Sequence, residues 1–330
     1  MPKTLVTGAT GFLGTHLLSR LDRDDVRVLA RDAHPDAPVG VAEVIEGSIL
    51  EASAVEKAVD GVERIYHLAG KVSRDPEAVR ELYRVHVEGT ELLCRAAKKA
   101  GVSRIVLAST SGTIAVTKDG ETVPDEEAPV PLDLIGGWPY YTSKLYQEEA
   151  ARRECEGGPG LVILNPSLLL GPGDRRLSST EDVLKLLAGE IPVVPPGGVN
   201  FVDVRDVADA FEHAMERGKP GERYLLGGPN WTFSVFFEKL ARAGKVKGPL
   251  VKLPENVYTF TGKAVDALYR HWDKVPPVDR VSVEMGRRFW YLDCSKAERE
   301  LGFSARDPYE TLHETVAFIK KEFLDEGVLS

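Results

Sequence analysis

A short apolar strand that runs directly into glycines restricts this chain more than any other feature. Thr4-Leu5-Val6-Thr7 is followed by Gly8-Ala9-Thr10-Gly11-Phe12-Leu13-Gly14 and then by helix-favouring residues. Glycine reaches positive φ and lets another backbone approach closely, because it has no Cβ. In a strand–turn–helix unit one glycine permits the tight turn, a second admits a pyrophosphate, and a third lets helix and strand pack closely. The N–H groups that open the helix then face an anion. Three glycines at this spacing point to a dinucleotide site at Gly8, Thr10, Gly11, Phe12, Leu13 and Gly14.

The pattern downstream agrees. Candidate strands are Thr4–Thr7, Val26–Ala30, Glu43–Glu46, Arg64–Leu68, Ile105–Ala108 and Leu161–Leu164, nearly all apolar, as in strands covered on both faces. Helical stretches at Phe12–Leu21, Ala52–Val59, Leu82–Lys99 and Tyr140–Arg153 separate them. This alternation predicts an α/β, Rossmann-type, doubly wound parallel sheet over residues 1–165. Past Pro166, breaks at Gly171-Pro172-Gly173, Pro195-Pro196-Gly197-Gly198 and Gly227-Gly228-Pro229 shorten the pieces. Residues 166–330 are expected to form mainly a smaller substrate-binding lobe, with 199–217 returning to the first domain. Helices at Asp203–Arg217 and Phe233–Ala243 remain. Ser295 with Glu298 fits a capping box closed by Gly302, and Asp307-Pro308 opens a last helix.

Several function classes lose support. The chain carries 42 basic and 51 acidic residues, a net charge of −9, with both signs interspersed. Such a chain does not bind nucleic acid or an anionic membrane through bulk charge. No apolar run approaches the ~20 residues of a membrane span. No His-Glu-x-x-His or Cys-x-x-Cys supports a metal. Cys94, Cys155 and Cys294 are scattered, which predicts free thiols in a reducing compartment. With no signal-like order at the N-terminus, a cytoplasmic protein acting on a small molecule is expected.

The end of the second candidate strand bears on the cofactor. It reads Val28-Leu29-Ala30-Arg31-Asp32. A guanidinium suits a 2′-phosphate and a carboxylate suits ribose hydroxyls, so Arg31 favours NADP and Asp32 keeps NAD as the alternative. Tyr140 and Lys144, four apart, share one helix face. A nearby ammonium lowers a phenol's pKa, and the phenol then exchanges a proton with an alcohol or carbonyl oxygen beside a nicotinamide. Tyr141, three before Lys144, is the weaker candidate. The hydroxyls of Ser109, Thr110 and Ser111 follow the fifth strand, where side chains reach a ligand crevice.

Together with His67-Leu68-Ala69-Gly70, these motifs make the chain resemble an extended short-chain dehydrogenase/reductase of the NAD-dependent epimerase/dehydratase superfamily, near the dihydroflavonol 4-reductase-like and hopanoid-associated sugar epimerase groups. The likeness also takes in Val87-Glu88-Gly89-Thr90, Asn165-Pro166-Ser167 and Phe201-Val202-Asp203-Val204-Arg205-Asp206. The resemblance implies Tyr140 as proton donor or acceptor, Lys144 on the nicotinamide ribose, and Thr110 as the hydroxyl that orients the substrate oxygen, with Ser111 its nearest substitute. It also implies Arg31 on the 2′-phosphate, Leu68, Ala69 and Gly70 along the adenosine half, and Pro166 and Ser167 near the nicotinamide. Asn165 is a candidate substrate contact, and pairing of the helices 82–99 and 140–153 implies a homodimer.

Three positions depart from the family's habits. Gly47-Ser48 replaces Gly-Asp, His86 replaces an asparagine, and Val199-Asn200 offers no arginine for a sugar diphosphate. The last, with Arg31, favours an NADPH-linked reductase of a ketone or aldehyde, of dihydroflavonol, steroid or 3-oxoacyl type. A nucleotide-sugar epimerase or dehydratase that retains NAD is the alternative, and a non-enzymatic dinucleotide sensor is a third reading.

Overall fold

The computed structural model describes residues 3–31, 40–191, 193–248, 251–252 and 280–324. Asp32 lies outside them, so the comparison of Arg31 with Asp32 rests on Arg31 alone.

The first half alternates β1 (Thr4–Thr7), α1 (Phe12–Leu18), β2 (Val26–Ala30), β3 (Glu43–Glu46), α2 (Ala52–Val59) and β4 (Arg64–His67). It continues through α3 (Val79–Tyr83), α4 (Gly89–Ala100), β5 (Arg104–Ala108), α5 (Leu132–Ile135), α6 (Pro139–Cys155) and β6 (Gly160–Pro166). There follow β7 (Leu168–Leu170), α7 (Glu181–Leu187), β8 (Val193–Val194), β9 (Gly198–Asp203), α8 (Val204–Arg217), β10 (Arg223–Leu226), β11 (Asn230–Thr232) and α9 (Phe233–Gly244).

Seven parallel strands stand in the order β3-β2-β1-β4-β5-β6-β10. Their apolar runs serve two cores, because side chains alternate across a sheet. Val6, Val106 and Leu164 face α1 and α8, whereas Leu5, Ile105 and Leu107 face α2, α4 and α6. Strand order reverses between β1 and β4. The carboxyl ends there flank the crevice in which such sheets bind ligands.

The second lobe has its own core. β9 pairs β7 and β11, and Phe201, Phe236, Leu240, Leu312 and Val316 pack together. β9 runs straight into α8, which Asp203 opens by accepting the Arg205 N–H at 2.9 Å. α8 packs on α1, while β9 pairs with β7 and β11.

Two elements expected in the lobe belong to the sheet. β10 extends it beside β6, and the helix Ser295–Leu301 packs on α8 and β10, with Ala297 and Leu301 in the first core. The capping box at that helix does not form. Asp293, two residues earlier, accepts the Ser295 N–H at 2.7 Å instead, while Gly302 closes the helix at φ 70°.

The expected helix 82–99 is interrupted. Arg84–Glu88 forms a π turn between α3 and α4, a widening that often marks functional sites. It carries His86. No helix among the described residues is long and apolar enough to cross a membrane.

Candidate active site

The glycine turn sits at the switch point. Gly8 has φ 73°, and a Cβ there would lie 2.6 Å from Leu68 C and Ala69 N. A Cβ on Gly14 would lie 2.2 Å from Gly8 O, so helix and turn meet only without a side chain. Gly11 caps α1 without a side-chain bond, which leaves first-turn N–H groups facing the cleft. These features fit a dinucleotide diphosphate.

One cleft joins Gly8, Thr10, Gly11, Phe12, Leu13, Gly14, Arg31, Leu68, Ala69 and Gly70 to Thr110, Ser111, Tyr140, Lys144, Pro166 and Ser167. Its volume is about 2250 Å³. A small-ligand pocket typically holds about 300–1,000 Å³, so there is room for a dinucleotide and a second molecule. Ser167 presents a buried Oγ without a hydrogen-bond partner. Asn165 does not reach the cleft wall. It is fully buried, with Nδ2 on Thr110 O (3.0 Å), Thr113 Oγ1 (3.1 Å) and Glu148 Oε1 (2.7 Å). It braces the Thr110 loop from behind.

Pro139 starts α6, and the helix repeat then turns Tyr140 and Lys144 to the same side. The Lys144 ammonium donates to Ala108 O at 2.7 Å and to Gln147 Oε1. Thr110 Oγ1 accepts the Gly112 N–H at 3.3 Å. Tyr141 packs its ring over Gly112, where a Cβ would meet it at 2.2 Å, and beside Trp138 and Trp290. Tyr141 is thus an aromatic wall of the cleft.

His86 replaces the family asparagine with a defined role. Its Nε2 accepts the Lys71 N–H at 3.0 Å, so the ring proton sits on Nδ1 and goes to Ser143 Oγ at 2.8 Å. Ser143 Oγ donates in turn to Tyr140 O at 2.7 Å. Burial and Lys144 hold this imidazole well below its ordinary pKa. His86 is a neutral clamp that joins the loop after β4 to the first turn of α6.

The charge relation between Tyr140 and Lys144 differs from expectation. Burial, with Tyr141 beside it, lifts the Tyr140 phenol well above the usual range. Burial lowers Lys144 to about 7, opposed by the Glu148 carboxylate. Each group loses hydration for its charged form, and that loss sets the direction of both shifts. The phenol is therefore held protonated, ready to donate.

Lys144 ties stability to pH. Below pH 7 both the folded and unfolded chains hold the proton. Between about 7 and 10.4 the unfolded chain binds more, so this residue's contribution to stability rises with pH. In denaturant titrations, wild-type stability minus that of Lys144→Met is expected to climb by up to about 1.4 kcal/mol per pH unit in that window. A flat difference rejects the buried, weakened ammonium.

Sequence reading missed Gln147, Glu148 and the Arg74–Asp182 pair. The first two stand three and four after Lys144, so helix spacing carried their signal. Arg74, beyond β4, reaches Asp182 of α7 across the cleft at 2.8 and 3.3 Å. No local pattern marks that contact, since 108 residues separate the partners.

Known proteins resemble this chain in sequence and fold. The model of the NAD dependent epimerase/dehydratase family matches residues 4–227. A Synechocystis sp. protein provisionally named dihydroflavonol 4-reductase is 30% identical over 326 residues, covering 94% of this chain and 92% of that one. Sterol demethylase protein B of Methylococcus capsulatus is 30% identical over 325 residues, with 96% and 98% covered. The crystal structure of gox2253 matches with a TM-score of 0.84 at 28% identity over the whole of both chains. The family match runs from β1 to β10, through the glycine turn and the Tyr140–Lys144 helix, so this chain is an NAD(P)-dependent enzyme that belongs to the NAD dependent epimerase/dehydratase family.

Proposed function

We propose that the chain reduces a ketone or aldehyde on a partly apolar small molecule with NADPH. The observation that carries this reading is the buried Tyr140 phenol, one helical turn from Lys144, in a cleft with an apolar patch on its far wall. Leu168, Leu169, Ile191, Phe233 and Phe237 of the second lobe line that wall. The site also has Val199-Asn200 where a sugar-diphosphate enzyme would place a cation. Asn200 is buried, with its amide engaged by Gly228 and Asn230. The names of the two relatives are compatible with a reductase but do not decide the substrate.

In this reading Gly8, Thr10, Gly11, Phe12, Leu13 and Gly14 hold the diphosphate, Arg31 the 2′-phosphate, and Leu68, Ala69 and Gly70 the adenosine half. Lys144 holds the nicotinamide ribose, with Pro166 and Ser167 beside the ring. When bound, the cofactor supplies the hydride. Thr110 then hydrogen-bonds the substrate oxygen, and Tyr140 gives it a proton as negative charge develops.

Loss of NADPH absorbance with a panel of apolar ketones and aldehydes tests the reading. An enzyme that retains NAD through purification and consumes no NADPH would instead act as a sugar epimerase. Arg31→Ala is expected to weaken NADPH binding by at least about tenfold, through loss of a charge-assisted phosphate contact, with NADH binding unchanged. Equal losses for both cofactors reject the assignment to the 2′-phosphate.

A further inference from the structure

Behind Lys144 a line of buried side chains runs through the sheet to the glycine turn. Lys144 Nζ donates to Gln147 Oε1, and Gln147 Nε2 donates to Thr90 Oγ1 at 2.9 Å. Thr90 Oγ1 is 2.8 Å from His67 Nε2, and His67 Nδ1 is 2.8 Å from Thr7 Oγ1. Thr7 Oγ1 also accepts the Ala69 N–H at 3.2 Å. All five side chains are buried.

At the lysine end the directions of these bonds follow from chemistry. An ammonium only donates, so the Gln147 oxygen faces Lys144 and its NH₂ faces Thr90. Thr90 Oγ1 accepts there and also meets His67 Nε2, in a direction set by the tautomer of that ring. Burial, aided by Lys144, pushes His67 down to about 3, so its ring is neutral and bridges Thr90 and Thr7.

Gln147 is also an unusual partner for a buried ammonium. A carboxylate stands one residue on, yet Glu148 is turned elsewhere. Its Oε1 takes Ser109 Oγ, Thr113 Oγ1 (3.0 Å) and Asn165 Nδ2 (2.7 Å), and its Oε2 faces Arg223 at 3.9 Å. A neutral amide therefore supports Lys144 without cancelling its charge.

We propose that Gln147 is a positioning residue for Lys144, anchored through Thr90 and His67 to Thr7, so that the glycine turn and the lysine are held in one register. The proposal rests on the role given to Lys144 above. Its consequence is that the two ends of the cofactor site, far apart along the chain, are tied to each other by side-chain hydrogen bonds.

The test reads the Lys144 ammonium directly, by NMR titration of the full chain labelled with ¹³C-lysine. Charged or titratable groups facing it are Glu148 and Tyr140 of α6, His67 of β4 and His86 of the π turn. Wild type is expected to titrate near 7. Gln147→Leu removes a charge-assisted acceptor and is expected to lower that midpoint by about one pH unit or more. Gln147→Glu is expected to raise it by a similar amount, and Thr90→Val to lower it less than Gln147→Leu. Thermal midpoints are followed in parallel, since a purely structural glutamine would change those and not produce shifts of opposite sign. A Lys144 midpoint unmoved in Gln147→Leu, or moved in the same direction by both Gln147 variants, overturns the proposal. If Gln147→Leu does not fold, an unmoved midpoint in Thr90→Val overturns it. NADPH binding to wild type is measured separately, so its failure would count against the proposed function and not against this linkage.

Discussion

Tyr140→Phe is expected to cut kcat for carbonyl reduction by roughly 10²–10⁴-fold, the usual worth of a positioned general acid. NADPH affinity should stay unchanged, because the lost oxygen serves the substrate and not the cofactor. The ring itself should keep its place. It stacks edge-on against His86 at 5.9 Å and Tyr141 at 5.1 Å, and its backbone oxygen stays bonded to Ser143. Burial holds the phenol protonated, so the wild-type reduction rate should show no loss from phenol ionisation up to pH 9. Full turnover in Tyr140→Phe would remove Tyr140 as the donor. Steady-state rates with a ketone found in the panel, together with NADPH fluorescence titration, separate these effects.

Gly8→Ala should damage both fold and binding. At φ 73° an alanine is strained by about 1–2 kcal/mol. Its Cβ would also press on Leu68 C and Ala69 N at 2.6 Å, backbone atoms that cannot swing aside. Overpacking of this kind costs about 1–3 kcal/mol more. Together these should lower Tm by several degrees and weaken NADPH binding more than tenfold, because the turn and the loop after β4 must separate. Gly11→Ala provides the contrast. Gly11 sits at φ −81°, and its added Cβ would meet only Gly8 O, at 3.2 Å. This variant should fold with a near wild-type Tm and lose affinity for the cofactor alone. Equal effects at both positions, by calorimetry and binding, would show that the two glycines do not have separate duties.

The π turn shows where local reading stops. Residues 82–99 read as one continuous helical pattern, and the widening at Arg84–Glu88 leaves no mark in it. Its cause is tertiary. His86 must reach Lys71 N on one side and Ser143 Oγ on the other, and the turn re-aims it to do both. The same holds for Asn165. Its place before Pro166 suggested a ligand contact, yet it lies beneath the Thr110 loop because β6 runs alongside β5 there.

The sequence alone determined the parallel sheet, the glycine turn and the pairing of Tyr140 with Lys144. Each depends on chemistry repeated within a few residues: apolar runs, absent side chains, and a spacing of four on one helix. Only the tertiary structure decided the ionisation of that pair, the neutral clamp at His86, the line from Lys144 to Thr7, and the return of β10 and Ser295–Leu301 to the sheet. Those depend on what burial removes from each group's hydration and on partners tens of residues away, neither of which a local window contains.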